Sequence, residues 1–171
     1  MTVAAVPVCT LRSIPVRHAA DLLAGRRPRL STGLVFDPDY PTADTLDALA
    51  MLTAAHEAMS GRPVVEAPRW WISYVVVEGV VVGDVGFHGP PPAEPPYAVE
   101  IGYQIVPAWR GRGLATRATG LLLAQAWTDG ADLVSADVEP DNTASLRVLA
   151  HHGFRRRDDG VFELTPPRPS G

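Results

Sequence analysis

The residues best suited to chemistry gather in one stretch, Val106-Pro-Ala-Trp-Arg-Gly-Arg-Gly-Leu-Ala-Thr116. Gly111 and Gly113 let the backbone approach a ligand closely, and successive N–H groups at a helix start cradle an anion. Arg110 and Arg112 add positive charge, so the turn offers what a pyrophosphate needs. Two nucleotide-binding alternatives fit poorly. A phosphate loop requires Gly-Lys-Ser/Thr, yet all 15 basic residues are Arg and the chain has no Lys. A dinucleotide fingerprint requires a third glycine where Thr116 stands, and an early strand-turn-helix unit; neither is present. Taken alone, the turn suits a helix entrance that binds nothing equally well.

The surrounding pattern supplies elements to position this turn. Residues 97–106 read as a strand whose odd positions, Tyr97, Val99, Ile101, Tyr103 and Ile105, form an apolar face. Its even positions include Glu100, Gly102 and Gln104, a polar or open face. A helix is expected over 113–127, a strand over 132–138, and a short helix over 143–151 capped by Asp141 or Asn142 and stopped by Gly153. Upstream, 71–77 and 80–88 are β-rich and separated by Glu78-Gly79, a hairpin signal. The prolines of 89–96 demand an irregular loop. A first strand is expected at 6–13, a helix from Pro15 to about residue 23, and a loop over 26–41. A second helix follows at 44–59, with Leu46, Leu49, Ala50 and Leu52 inward. A last hairpin joins 155–158 to 161–165, and 166–171 read as a disordered tail. The order predicts one domain over 1–171, an α/β (α+β) sandwich around a mixed, mostly antiparallel sheet.

Composition narrows the function classes. With 46% apolar and 20% charged residues the chain has an ordinary globular balance. A net charge of −4 argues against non-specific nucleic-acid binding, though not against a local anion site. Cys9 is the only thiol, so no intrachain disulfide can form, and it reads as a small buried hydrophobe. The most apolar stretch, 75–85, is too short and too interrupted to span a bilayer. Residues 1–8 show no signal-peptide pattern, so a cytoplasmic location without membrane attachment is expected. The Cys and His residues show no metal-ligand spacing.

Three motifs in order carry a family resemblance: Glu100-Ile-Gly-Tyr103, Arg110-Gly-Arg-Gly-Leu-Ala115, and Asn142-Thr-Ala-Ser145 leading to Leu149 and Gly153-Phe154. Together with the hairpin before them they resemble the GNAT superfamily of acyl-CoA-dependent N-acyltransferases over about residues 70 to 165. Within it, the chain looks most like the branch of ribosomal-protein N-terminal acetyltransferases. The resemblance implies acetyl-CoA as co-substrate and a primary amine, on a small molecule or a protein N-terminus, as acceptor. No metal or nucleic acid is implied, and a homodimer is compatible with it.

The resemblance also assigns residues. Backbone groups of Ile105 and Val106 would pair with the pantetheine arm, with Asn142 contacting it or simply capping its helix. The N–H groups of Arg110, Gly111, Arg112, Gly113, Leu114, Ala115 and Thr116 would hold the pyrophosphate. Glu100 stands where the family often places a base, which an amine needs because it is mostly protonated at neutral pH. A solvated or ion-paired strand glutamate is the plain alternative. The Tyr that many relatives carry after the Asn motif is missing, and Ser145 matches the branch that carries Ser instead, where it would protonate the departing thiolate; a helix-surface serine is the plain alternative. Arg117 departs from the branch, which usually carries Glu there. Asp37, Asp39, Asp44 and Asp47 put negative charge on the acceptor side or serve simply as loop and helix-cap residues, and His88 could contact substrate or the CoA nucleotide, though an isolated histidine is more often structural. A non-catalytic acyl-CoA sensor with the same fold is the competing reading.

Overall fold

The computed structural model describes residues 8–31 and 33–167. Eight strands form one sheet: β1 (Cys9–Ser13), β2 (Val35–Phe36), β3 (Ile72–Val77), β4 (Val80–Phe87), β5 (Ala98–Ile105), β6 (Leu133–Ala136), β7 (Arg155–Arg156) and β8 (Phe162–Leu164). The path across it runs β1-β3-β4-β5-β6-β8-β7, with β2 attached to β4. Only the β2/β4 and β5/β6 pairs are parallel. The expected β3–β4 hairpin forms because Glu78 and Gly79 both take positive φ, 49° and 81°. That pairing of conformations matches the twist of a two-residue hairpin. Every residue of β3 is buried, as suits a strand covered on both faces.

Four helices supply the cover: α1 (Val16–Leu23), α2 (Ala43–Ser60), α3 (Leu114–Thr128) and α4 (Thr143–His151). On one face His18 of α1 meets Tyr74 of β3, and Thr45 of α2 bonds Asp84 of β4. On the other, α3 and α4 pack together, and the Tyr103 hydroxyl of β5 donates to the Ser145 carbonyl of α4. The helix starts and stops follow local chemistry. Thr42 caps α2 by accepting from the Thr45 N–H, and left-handed Gly61 ends it.

Three expectations need correction. Ala50 is exposed, because the fully buried stripe of α2 is Thr45, Leu49 and Leu52, with Leu46 half-buried against the core as expected. A hydroxyl bonded to a buried carboxylate holds a place in that stripe. The stretch 26–41 is not all loop: Val35 and Phe36 pair with Val80 and Val81, a strand too short to show a period. Tyr97 lies outside β5 and is 38% exposed, its N–H bonded to Asp132. The expected strand start at Val6 and most of the expected tail lie outside the described residues.

One feature of β5 positions everything that follows. It pairs with β4 from Ile101 to Ile105, but with β6 only at Ala98, Val99 and Glu100. Beyond the Glu100–Ser135 pair, β5 and β6 part. The His88 N–H donates to Glu100 O, and the Val106 N–H to Val82 O, so even-numbered groups of this strand face β4. By the two-residue alternation of an antiparallel ladder, Ile101, Tyr103 and Ile105 turn theirs toward the gap. Gly83 allows β4 to lie this close, since a Cβ there would run into the Gln104 carbonyl.

A buried polar link ties α2 to the sheet beside the gap. The Thr45 hydroxyl donates to Asp84 Oδ2 at 2.6 Å and accepts from Gln104 Nε2 at 3.1 Å. The Tyr40 hydroxyl sits near the same carboxylate without completing a hydrogen bond. Burial raises the Asp84 carboxyl from 3.8 to about 6, only partly offset by these hydroxyls. The folded state therefore holds this proton more tightly than the unfolded chain does. Stability from this group is greatest below about pH 4, declines as pH rises from about 4 to 6, and then levels off. At roughly 1.4 kcal/mol per pH unit the decline is about 3 kcal/mol. Asp84→Asn keeps an acceptor for Thr45 and cannot ionise. Denaturant melts should show the variant more stable than the parent at pH 8, with the gap closing at pH 4. A gap that does not change with pH would place the ionisation elsewhere.

Candidate active site

A cleft of about 450 Å³ opens where β5 leaves β6. Its walls are Tyr103, Gln104 and Ile105 of β5, the turn into α3, and Asn142, Ser145 and Arg147 of α4. The turn is a short 3-10 segment, Pro107–Trp109, followed by Gly111 and Gly113 at φ 73° and 72°. A side chain at Gly111 would meet no atom within 4 Å, so glycine is there for its backbone angle. Gly113 begins α3 without a side-chain cap, and no acidic residue stands in the first turn. Helix starts normally satisfy their free N–H groups with such a side chain. Here those donors, with the positive end of the helix dipole, face an open cleft. An anion of the size and charge of a pyrophosphate fits this arrangement.

Of the residues expected to hold the cofactor, Ile105, Arg110, Gly111, Gly113, Leu114, Ala115, Thr116 and Asn142 line the cleft. Val106 and Arg112 do not: Val106 is fully buried, its N–H given to Val82 and its carbonyl taken by the Trp109 N–H. Of Ile105 and Val106, Ile105 alone turns its backbone to the gap. The arginines serve the turn itself. Arg110 Nε holds the Ile105 carbonyl at 2.8 Å, while Arg112 bonds the Ala108 carbonyl and lies over the Trp109 ring at 4.7 Å. The cleft's further cation is Arg147, which the sequence did not single out. Asn142 caps α4 by accepting from the Ser145 N–H at 3.1 Å, and it also borders the cleft.

A second cavity, of about 180 Å³, adjoins the cleft and shares Asp44, Tyr103 and Gln104 with it. Its floor is a glycine pair: Gly86 of β4 stands opposite Gly102 of β5, with Asp84 opposite Gln104 on one side. Asp44, Ala48 and Leu52 of α2 face it. Its charged or titratable lining is Asp44, Asp84, His88 and Tyr103, with no arginine. Asp37 is not part of it, because its carboxylate is spent on the Asp39 N–H and Trp109 Nε1. Neither are Asp39 and Asp47, so Asp44 is the member of the expected acidic group that reaches the site.

Glu100 lies in neither lining. Its Oε1 sits 2.8 Å from His88 Nδ1, and that bond holds its carboxyl below the usual carboxylate range. His88 does line the second cavity, so Glu100 touches the site through the imidazole. Only the register could have signalled this, since His88 stands beside Glu100 just past the Phe87–Ile101 pair. Tyr103 was likewise assigned to packing, yet it borders both spaces, and its hydroxyl bonds the backbone of Ser145. Cys9 is buried, as expected of the thiol, and Trp71 donates to the Ile14 carbonyl. Among the described residues no His, Cys, Asp or Glu cluster could hold a metal ion, and no helix is long and apolar enough to cross a membrane.

Comparison with known proteins agrees with this anatomy. The RimJ of Mycobacterium smegmatis, solved in complex with CoA-disulfide, superposes with a TM-score of 0.64 at 26% identity, covering 96% of this chain and 86% of that one. The ribosomal-protein-S5-alanine acetyltransferase of Vibrio fischeri gives 0.61 at 17% identity, over 95% and 96%. A GNAT acetyltransferase of Brucella melitensis in complex with acetyl-CoA gives 0.57 at 18%, over 96% and 93%. At under 25% identity the last two show the fold alone. No curated protein sequence matches the chain. The family model for the acetyltransferase (GNAT) domain matches residues 9–155, most of the chain, and the protein therefore belongs to the GNAT acetyltransferases.

Proposed function

We propose that the protein transfers the acetyl group of acetyl-CoA to a primary amine, on a small molecule or a protein N-terminus, by direct attack. The observation that carries this reading is the junction of the two spaces at Tyr103 and Gln104. One space suits an anionic carrier that lies along a strand edge. The other is lined by carboxylates and apolar groups, which suits an amine. The reading takes the chain as one catalytic domain, in the cytoplasm where acetyl-CoA is at hand.

In this reading the N–H groups of the α3 start hold the pyrophosphate, and Arg147 adds charge at the cleft wall. The gap-facing groups of Tyr103 and Ile105 pair with the pantetheine arm like an added strand. The Ile105 N–H is placed to donate to the oxygen that becomes negative when the amine attacks the thioester carbon. Glu100 acts on the acceptor side through His88. Ser145 borders the cleft and supplies a proton to the departing thiolate.

Two variants test these assignments. Ala115→Glu puts a carboxylate into the first turn of α3. Near a helix N-terminus that charge favours the helix, so the apo protein should melt no lower than the parent. It should nevertheless abolish the rise in melting temperature that acetyl-CoA gives the parent, a rise expected for any ligand binding only the folded state. A parent indifferent to millimolar acetyl-CoA, or a variant that still responds, would overturn the pyrophosphate site. Ser145→Ala should leave acetyl-CoA binding intact and lower turnover by less than about 10²-fold, because a thiolate departs without much help. Steady-state kinetics with acceptors drawn from an amine panel, reading CoA release and product mass, check it. Loss of cofactor binding would instead make Ser145 part of the cleft wall alone.

A further inference from the structure

On the polar face of β4 and β5, the His88–Glu100 pair has a geometry that divides the work between its two members. His88 follows β4 directly, and its backbone N–H bonds the Glu100 carbonyl at 2.9 Å while its Nδ1 faces Glu100 Oε1 at 2.8 Å. The ring is thus fixed twice by one residue. It lies folded over Gly102, so that a Cβ at that position would collide with Nε2. Gly102 is where the strand's polar face must be bare for the imidazole to reach the cavity, and both residues line it. Nε2 has no hydrogen-bond partner among the described residues.

The chemistry of this placement is directional. An ionised carboxylate only accepts hydrogen bonds, so Nδ1 carries the proton of the neutral ring and Nε2 is left with a lone pair. Glu100 is itself a weakened base, because the same bond that orients the ring stabilises its charge. The groups facing His88 across the cavity are Asp44 of α2 and Asp84 of β4, both acidic, while the Tyr103 hydroxyl lies on the other face of the sheet, bonded to the Ser145 carbonyl. From Gly102 to Gln104, where the cavity meets the cleft, is two strand residues, about 7 Å. Two waters in series, at about 2.8 Å per hydrogen bond, span that distance to an amine at the junction.

We propose that His88 Nε2 takes the proton from the acceptor amine, and that Glu100 is the positioning residue that fixes the ring and its tautomer. The inference rests on the acetyl-transfer reading. The acceptor arrives as an ammonium group. One N–H bond breaks and its proton passes through water to Nε2, leaving an imidazolium beside the Glu100 carboxylate. The freed lone pair forms the C–N bond at the thioester carbon, and the C–S bond breaks with its electron pair on sulfur. The second proton lost by the nitrogen neutralises that thiolate. The His88 side chain, 32% exposed, returns its own proton to solvent. The products are an amide, CoA thiol and one released proton.

The test compares His88→Ala, Glu100→Gln and Glu100→Ala with the parent, using one acceptor that the parent acetylates. His88→Ala should lower kcat by roughly 10²–10⁴-fold, the range for a lost general base, while the acetyl-CoA melting shift stays at the parental value. The loss should shrink as pH rises and more amine is already neutral, and added imidazole should restore part of the rate. A side chain with only a structural role would show neither response. Glu100→Gln keeps an oxygen for Nδ1–H and should lose much less rate than Glu100→Ala. If Glu100 were the base, both would lose the full amount, because an amide cannot take the proton. Near-parental turnover in His88→Ala, or equal damage from the two Glu100 variants, would overturn the proposal while acetyl transfer stands. A parent that acetylates no amine in the panel would overturn both.

Discussion

The parting of β5 from β6 after Glu100 is the constraint on which the site depends. Within a sheet, backbone N–H and C=O groups are strong donors and acceptors that must find partners. Beyond Glu100, β5 finds them on the β4 side only, and the groups of Ile101, Tyr103 and Ile105 turn to a gap. A gap of this kind is a slot for an extended ligand, which supplies the missing ladder. The same logic recurs at its mouth, where α3 starts without a side-chain cap. Both ends of the cleft thus leave strong hydrogen-bonding groups open where folding alone would pair them. Arg110, holding the Ile105 carbonyl, keeps the last residue of β5 in register with the turn that follows.

The acceptor side solves a different problem. A cavity in the face of a sheet needs missing side chains, and the opposed Gly86 and Gly102 provide them. Gly86 also lets β3 approach, since a Cβ there would press on the Ile72 backbone at 2.6 Å. The space so made is bordered by Asp84, which burial disfavours as an anion, and by the His88–Glu100 pair. Polar groups of this kind cost stability, and they are tolerated where a ligand needs them. Thr45 limits the cost by giving Asp84 a donor and Gln104 an acceptor, which also pins α2 over the cavity.

The sequence made much of this legible. The hairpin turn, the glycine-bearing entrance to α3 and the Asn142 cap each obey a local rule, and local rules can be read from neighbouring residues. What stayed hidden depends on partners distant in the chain. His88 looked structural because its meaning comes from Glu100, twelve residues away across a strand pair. Ala50 is preferred to Thr45 by a hydrophobic pattern, which cannot foresee a hydroxyl partnered by Asp84, thirty-nine residues on. Val106 looked equivalent to Ile105 until the alternation of β5 turned its N–H the other way. Asp37 looked like acceptor-side charge until it met the Trp109 indole.

The most direct measurement of the central claim is amide hydrogen exchange, residue by residue, with and without acetyl-CoA. The account predicts slowed exchange at the gap-facing amides of Tyr103 and Ile105 and across Gly111 to Thr116. It predicts no change at the β7–β8 hairpin, which borders neither space. Acetyl-CoA that binds while leaving those amides unprotected, or that protects a different edge of the sheet, would contradict it.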